Sequence, residues 1–243
     1  MFNTIRGYIA LSTVTVFFGT LALILAIFSK PWTFRYAVRP WGTYVLKGCG
    51  VRLDVEGEDN LPKDPCILMY NHSSSFDIYA FSAGVPFEWR AIMKDEVAKI
   101  PFVGWVCRMT GQYFVARDGG SRDLNMVKEI VEKIKHGPSV LVAPEGTRSE
   151  DGNLLPFKKG GFVIALQAKV PVVTMVITGG NDVYPKGSKQ IKPGVMKIKY
   201  FKPIYVDELG RGRQAREQLE KVVREQMISV LGVERDTQAA GQA

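Results

Sequence analysis

From Gly7 to Ser29 the chain carries no charged residue, and Ile9 to Phe28 is built mainly from Leu, Ile, Val, Phe and Ala. Water solvates such a run poorly, so either protein or lipid has to cover it. At about 1.5 Å per residue, a helix over this stretch is long enough to cross a hydrocarbon layer of about 30 Å. The run is long for the apolar part of a signal peptide, and no clear small-x-small cleavage pattern precedes Lys30. A retained membrane anchor is therefore expected.

The residues that follow support an anchor. Pro31, Trp32, Phe34, Arg35, Tyr36, Arg39, Pro40 and Trp41 mix aromatic rings with arginines, as a segment at headgroup level requires. Two attachments satisfy this pattern. A single helix can span the bilayer, in which case Lys30, Arg35, Arg39 and Lys47 hold the remainder on the cytoplasmic side. Alternatively, helices over Ile5–Phe28 and about Thr33–Lys47 form a hairpin that dips into one leaflet. Thr13, Thr15 and Thr20 weaken the spanning case without deciding it. A helix buried in a soluble core is the third possibility. Residues 1–47 are assigned to the membrane anchor, 48–233 to a single globular domain and 234–243 to a flexible tail.

The net charge of +8 calls for an anionic partner: nucleic acid, an acidic lipid surface or a phosphorylated small molecule. Three cysteines without a CxxC, together with two histidines, leave little from which to build a zinc site or a disulfide scaffold. No metal is expected. Cys66 lies in the apolar run Cys66–Tyr70 and reads as a small buried hydrophobe rather than a nucleophile.

From Val51 onward, short apolar or alternating runs suited to strands recur at 51–56, 66–70, 91–93, 113–115, 139–143, 170–178 and 196–201, the last as an edge or outer strand. Helical patterns separate them. Over Ser121–Lys135, Leu124, Val127, Ile130, Val131 and Ile134 share one face, and Gln214–Leu231 repeats that pattern before Gly232. The alternation predicts one α/β domain with a mixed or mostly parallel sheet flanked by helices. No GxGxxG follows a strand, so the dinucleotide fingerprint is absent.

The chemistry concentrates in Asn71-His72-Ser73-Ser74-Ser75-Phe76-Asp77, directly after the apolar strand at 66–70. A histidine at the C-terminal end of such a strand faces the usual crevice of an α/β sheet. A carboxylate five residues on can accept from one ring nitrogen and leave the other free as a base, and imidazoles as a class titrate near neutrality. The serines before Asp77 can cap the helix predicted at Asp77–Ser82. The bland alternative is that His72 and Asp77 merely cap a turn and a helix. His136 follows the 121–135 helix, where a cation suits the dipole, and needs no catalytic explanation.

Two further strand ends carry arginine. Tyr113-Phe114-Val115 leads to Arg117, and Val140-Leu141-Val142 leads to Ala143-Pro144-Glu145-Gly146-Thr147-Arg148. Arginines in matching positions can grip a phosphate dianion with paired, charge-assisted donors, and Lys158 and Lys159 extend the basic field. Gly146 permits close approach of backbone to a ligand.

These blocks resemble the lysophosphatidic acid acyltransferases, the 1-acyl-sn-glycerol-3-phosphate acyltransferases of the glycerolipid acyltransferase superfamily. His72 through Asp77 is similar to the family's histidine–four-residues–aspartate block, and Gly111 through Arg117 to its second. Pro144 through Arg148 is similar to the third, and Val170-Pro171-Val172-Val173 to the fourth. The order holds from about residue 61 to 178; Glu96-Val97 after Lys94 departs mildly from the family's Glu-Leu.

The resemblance implies an enzyme that moves an acyl group from acyl-CoA or an acyl-carrier-protein thioester to the sn-2 hydroxyl of lysophosphatidic acid, yielding phosphatidic acid. It gives His72 the role of base and Asp77 that of its holder. Arg117, Glu145, Gly146, Thr147, Arg148 and Lys94 would bind substrate, with Glu145 orienting an arginine or the glycerol end. Neither a bound cofactor nor a covalent serine is required, and the phospholipid bilayer is the implied partner. A glycerol-3-phosphate or lysophospholipid acyltransferase, or a non-catalytic binder of anionic lipid, is compatible with the same residues. Nucleic acid is not expected, since no basic helix lacks a lipid explanation.

Overall fold

In the computed structural model, residues 2–116 and 121–232 are described. The chain opens with α1 (Phe2–Phe28) and turns at Ser29 into α2 (Lys30–Thr33), a π-helical turn at Phe34–Val38 and α3 (Arg39–Gly48). The turn has a clear cause: Ser29 is extended, its hydroxyl accepts from the Trp32 amide at 3.3 Å, and Pro31 occupies the first turn of α2. The result is a two-helix hairpin, one of the two N-terminal arrangements anticipated from the sequence.

The hairpin lies along the rest of the molecule. Thr4 Oγ1 donates to Ile191 O at 3.4 Å, and Tyr8 OH donates to Lys189 O at 3.3 Å. Farther along, the Phe102 ring sits on Gly19. α3 in turn rests on α4 (Asp77–Gly84), and Gly42 makes that approach possible, since a Cβ there would lie 2.6 Å from Tyr79 O.

The globular part runs β1 (Val51–Glu56), β2 (Ile67–Tyr70), α4, β3 (Trp89–Lys94), α5 (Val103–Met109), β4 (Tyr113–Val115), α6 (Ser121–Ile134) and β5 (Ser139–Val142). It continues with α7 (Gly160–Ala168), β6 (Val172–Thr178), α8 (Gly180–Val183), β7 (Gly194–Tyr200) and α9 (Gly212–Leu231). The sheet order is β1-β7-β6-β2-β5-β3-β4. Strands β6, β2, β5, β3 and β4 are mutually parallel, while β7 is antiparallel to β6 and parallel to β1. The sheet is therefore mixed, as expected. The strand anticipated at 196–201 is not the edge: β1 pairs outside it in the register Val51↔Gly194.

Helices cover both faces. On one, the hairpin and α4 bury Leu68, Tyr70, Phe76, Phe81, Trp89 and Met196; on the other, α6, α7 and α9 bury Ile67, Met69, Ile130, Val140, Phe162 and Leu219. β2 is central and wholly buried, so its alternate residues fill the two cores and its C-terminal end opens at a sheet rim. That rim holds His72. A strand buried on both faces reads as a continuous apolar run, which is why Ile67–Tyr70 does not alternate.

Candidate active site

β2 ends at Tyr70, and the side chain of Asn71 then imitates one more strand residue. Asn71 Nδ2 donates to Ile177 O and Asn71 Oδ1 accepts from Ile177 N, each at 2.8 Å, which ties the chain to β6. This clamp fixes where His72 leaves the sheet.

His72 Nδ1 lies 2.8 Å from Asp77 Oδ2. The Asp77 side chain is fully buried, whereas a quarter of the His72 side chain is exposed. A carboxylate at Nδ1 makes that nitrogen the protonated one, so the lone pair resides on Nε2. Nε2 makes no hydrogen bond among the described residues. Tyr70 supports the imidazole edge-on at 5.8 Å between ring centres.

Asp77 Oδ2 also accepts from the amides of Ser73 and Ser74, each at 2.9 Å. The capping anticipated from the sequence is met in part, since a serine hydroxyl reaches the amide of Phe76, the N-cap of α4. The aspartate gathers the serine amides, because a carboxylate accepts several donors while a hydroxyl here is needed elsewhere. Ser74 Oγ accepts from the Phe76 amide at 3.1 Å and donates to Tyr184 O at 2.8 Å. With the amides of Ser73, Ser74 and Phe76 engaged internally, three of the backbone donors at the turn are removed from contact with a ligand.

The loop after β5 closes on the same turn. Glu145 is buried, its Oε1 accepting from the His72 amide at 2.7 Å and its Oε2 from the Leu155 amide at 2.8 Å. Ser149 N donates to His72 O at 2.9 Å. Both backbone groups of His72 are thus held by the 145–149 loop. Each oxygen of Glu145 accepts a backbone amide, so the carboxylate braces His72. Burial pushes its carboxyl above the ordinary range, against the lowering effect of the Leu155 and His72 amide bonds.

Arg148, half-buried, donates through Nη1 to Ser75 Oγ, which brings its guanidinium to the His72 turn. Lys186 Nζ donates to Arg148 O at 3.2 Å and pairs with Glu150 at 3.0 Å, adding a cation not anticipated from the sequence. Gly146 has φ +71°, and a Cβ there would meet Lys158 Cδ at 2.9 Å, so glycine keeps Lys158 close to the turn. Thr147 is exposed.

Lys94 is exposed at the end of β3, on the same rim as His72 but two strands from β2, about 10 Å away at ordinary strand spacing. No hydrogen bond links it to the His72 turn among the described residues. Arg117 and the tail at 234–243 lie outside the described residues.

Beside α4 an apolar cleft of about 90 Å³ runs between the hairpin and the sheet. Phe18 and Ala22 of α1, Trp41 of α3, Ile78 of α4 and Val106 of α5 contribute to its walls. Ile78 adjoins Asp77, so the cleft begins one residue from the histidine's partner.

The chain is similar to known acyltransferases. Residues 52–178 match the Acyltransferase family. A chloroplastic 1-acyl-sn-glycerol-3-phosphate acyltransferase of Brassica napus is 39% identical over 158 residues, 63% of this chain. The match spans 45% of that longer protein, so the chain accounts for less than half of it. The 1-acyl-sn-glycerol-3-phosphate acyltransferase of Saccharomyces cerevisiae is 32% identical over 220 residues, covering 88% of this chain and 72% of that one. The crystal structure of the 1-acyl-sn-glycerophosphate acyltransferase PlsC from Thermotoga maritima superposes with a TM-score of 0.77 at 27% identity, over 94% of this chain and 96% of that chain. Fold, ordered motifs and relatives converge: the chain belongs to the lysophosphatidic acid acyltransferase family of glycerolipid acyltransferases.

Proposed function

We propose that this protein transfers an acyl group from a thioester, acyl-CoA or acyl-carrier-protein, to the sn-2 hydroxyl of 1-acyl-sn-glycerol-3-phosphate, giving phosphatidic acid. The observation that carries this reading is the 2.8 Å contact of His72 Nδ1 with buried Asp77, which leaves Nε2 unpartnered among the described residues on a turn that Arg148 reaches through Ser75.

Nε2 removes the hydroxyl proton as the oxygen attacks the thioester carbonyl. Asp77 holds the tautomer and steadies the imidazolium through Oδ2, where three donors converge. Collapse of the tetrahedral intermediate expels the thiolate, which recovers the proton from Nε2. The phosphate is the natural ligand of Arg148, with Arg117, Lys94 and the exposed Thr147 as further candidates. The turn at Gly146 leaves room for Lys158 beside the same loop, and the acyl chain takes the apolar cleft next to Ile78.

The domain over 48–233 performs this chemistry and the hairpin within 1–47 holds it to the bilayer. A one-leaflet attachment fits better than a spanning α1, because domain contacts at Thr4, Tyr8 and Gly19 lie along a single helix. A spanning helix would carry those contacts to very different depths. The opposite side of α1 exposes Ile9, Val16, Phe17, Ile24, Ile27 and Phe28, a surface that lipid would cover. The basic residues Lys30, Arg35, Arg39 and Lys47 suit the anionic cytoplasmic leaflet.

Mass spectrometry of products formed by the purified full chain, with defined acceptors and either donor, tests the reading. Phosphatidic acid made from lysophosphatidic acid is the expected product. Preference for an acceptor lacking the phosphomonoester would overturn the assignment of Arg148.

A further inference from the structure

The exposed apolar surface does not stop at the hairpin. It continues onto the catalytic domain at residues 100–109, where Ile100 is 48%, Trp105 58% and Met109 41% exposed. Trp105 and Met109 are one helical turn apart on α5 and face outward together. The inner side of the same helix, Val103, Val106 and Cys107, lines the apolar cleft. A surface helix of a soluble domain has a polar outer face; α5 has a large indole and a thioether there, with Arg108 as its one charged residue.

The segment is also fastened to α1. Phe102 has φ 64° and ψ −60°, and Val103 N donates back to Pro101 O at 2.7 Å, a γ-turn that few non-glycine residues adopt. This geometry throws the Phe102 ring onto α1, where a Cβ at Gly19 would lie only 2.6 Å from it. Backbone strain of this kind persists where the surroundings enforce it. The consequence is that α5 sits beside α1, and Trp105 and Met109 add exposed apolar side chains to those that α1 carries at Val16, Phe17 and Ile24. Lys99 and Arg108, both exposed, flank the patch.

We propose that residues 100–109 form a second membrane-inserting element, which seats Trp105 and Met109 among the acyl chains of the leaflet that the hairpin enters. Lys99 and Arg108 then lie at the level of anionic headgroups. The inference rests on the one-leaflet attachment above and adds a lipid contact made by the catalytic domain itself. It gives α5 lipid on its outer side and the cleft on its inner side. An acyl chain then passes from bilayer to cleft around one helix without crossing water.

Depth-dependent quenching tests this without relying on acyl transfer. The full chain is bound to phosphatidylcholine–phosphatidylglycerol vesicles whose acyl chains carry bromine near the glycerol end. The Trp105 emission is taken as the difference between the native chain and Trp105→Phe, and that of Trp32 from Trp32→Phe. The Trp105 component is expected to fall about twofold or more in brominated vesicles and to lose its quenching by aqueous iodide, as an indole inserted ~5–10 Å deep requires. Met109→Trp in the Trp105→Phe background should reproduce the result. If Trp32 is quenched by bromine while the Trp105 component stays open to iodide, the second element is refuted and the hairpin attachment survives. Protection from iodide without bromine quenching would indicate a protein partner and equally refutes it. A chain that fails to bind vesicles overturns both.

Discussion

Gly180 lies directly against Asp77: a Cβ on Gly180 would sit 2.8 Å from Asp77 Oδ1 and 2.9 Å from Ser74 Cβ. Oδ1 is buried and has no hydrogen-bond partner among the described residues, while Oδ2 receives the His72 ring and two amides. The carboxylate is therefore oriented from one side by donors and from the other by the bare backbone at the start of α8. Gly180→Ala should push Asp77 toward His72 and lower kcat by about 10²-fold, the scale expected of a displacement near 1 Å in a catalytic group. KM should change little, and circular dichroism should show a folded protein. An unaltered kcat would show that the contact is ordinary packing.

Glu145 makes a separable prediction about stability. In Glu145→Gln one carboxylate oxygen becomes an amide donor facing either the His72 or the Leu155 amide, so one buried bond is lost and two donors oppose each other. The loss should be about 1–3 kcal/mol in denaturant unfolding, the cost of leaving a buried donor unsatisfied. Activity should fall as well, because the exchanged group holds the His72 backbone.

Arg148 should govern the phosphate. Arg148→Ala is expected to raise KM for a phosphomonoester acceptor by roughly 10–150-fold, the loss of one charged hydrogen bond worth ~1.5–3 kcal/mol. An acceptor without phosphate should show almost no change. Equal effects on the two acceptors would mean that Arg148 acts through its contact with Ser75 instead.

Cys66 offers a chemical control. Burial pushes its thiol up to about 11, opposed by the bond to Ser139. A group with a raised pKa stays protonated until the pH climbs through that value, so at neutral pH its thiolate population is about two orders of magnitude or more below that of a free cysteine. Peptide mapping after iodoacetamide should find Cys66 unmodified in the native enzyme and alkylated after denaturation. Modification in the native state accompanied by loss of activity would reopen a thiol mechanism.

Much of this was legible in the chain itself. The strand-to-helix alternation fixed the elements of the sheet, and the five-residue spacing of His72 and Asp77 anticipated a contact that the turn then supplies. What stayed hidden depends on neighbours distant in sequence. Glu145 looks like a ligand for a cleft because a carboxylate in an apolar neighbourhood suggests function, yet its partners are amides of His72 and Leu155, invisible without the turn. The serines at 73–75 look like caps because hydroxyls commonly are; Ser74 Oγ does take the Phe76 amide, while Asp77 takes the amides of Ser73 and Ser74. Gly179-Gly180 reads only as the end of β6, and nothing local in it points to Asp77, more than a hundred residues away. The place of β7 inside β1 likewise follows from a pairing across most of the chain, although its alternation suits an outer strand.

The most direct test of the central claim is acyl transfer by His72→Ala in the full chain bound to vesicles containing lysophosphatidic acid, with acyl thioester supplied in excess. The exposed Nε2 is the sole proposed base, so turnover should fall by about 10³-fold or more while vesicle binding and unfolding midpoint stay at native values. Phosphatidic acid formed at the native rate by the bound variant would contradict the assignment of His72.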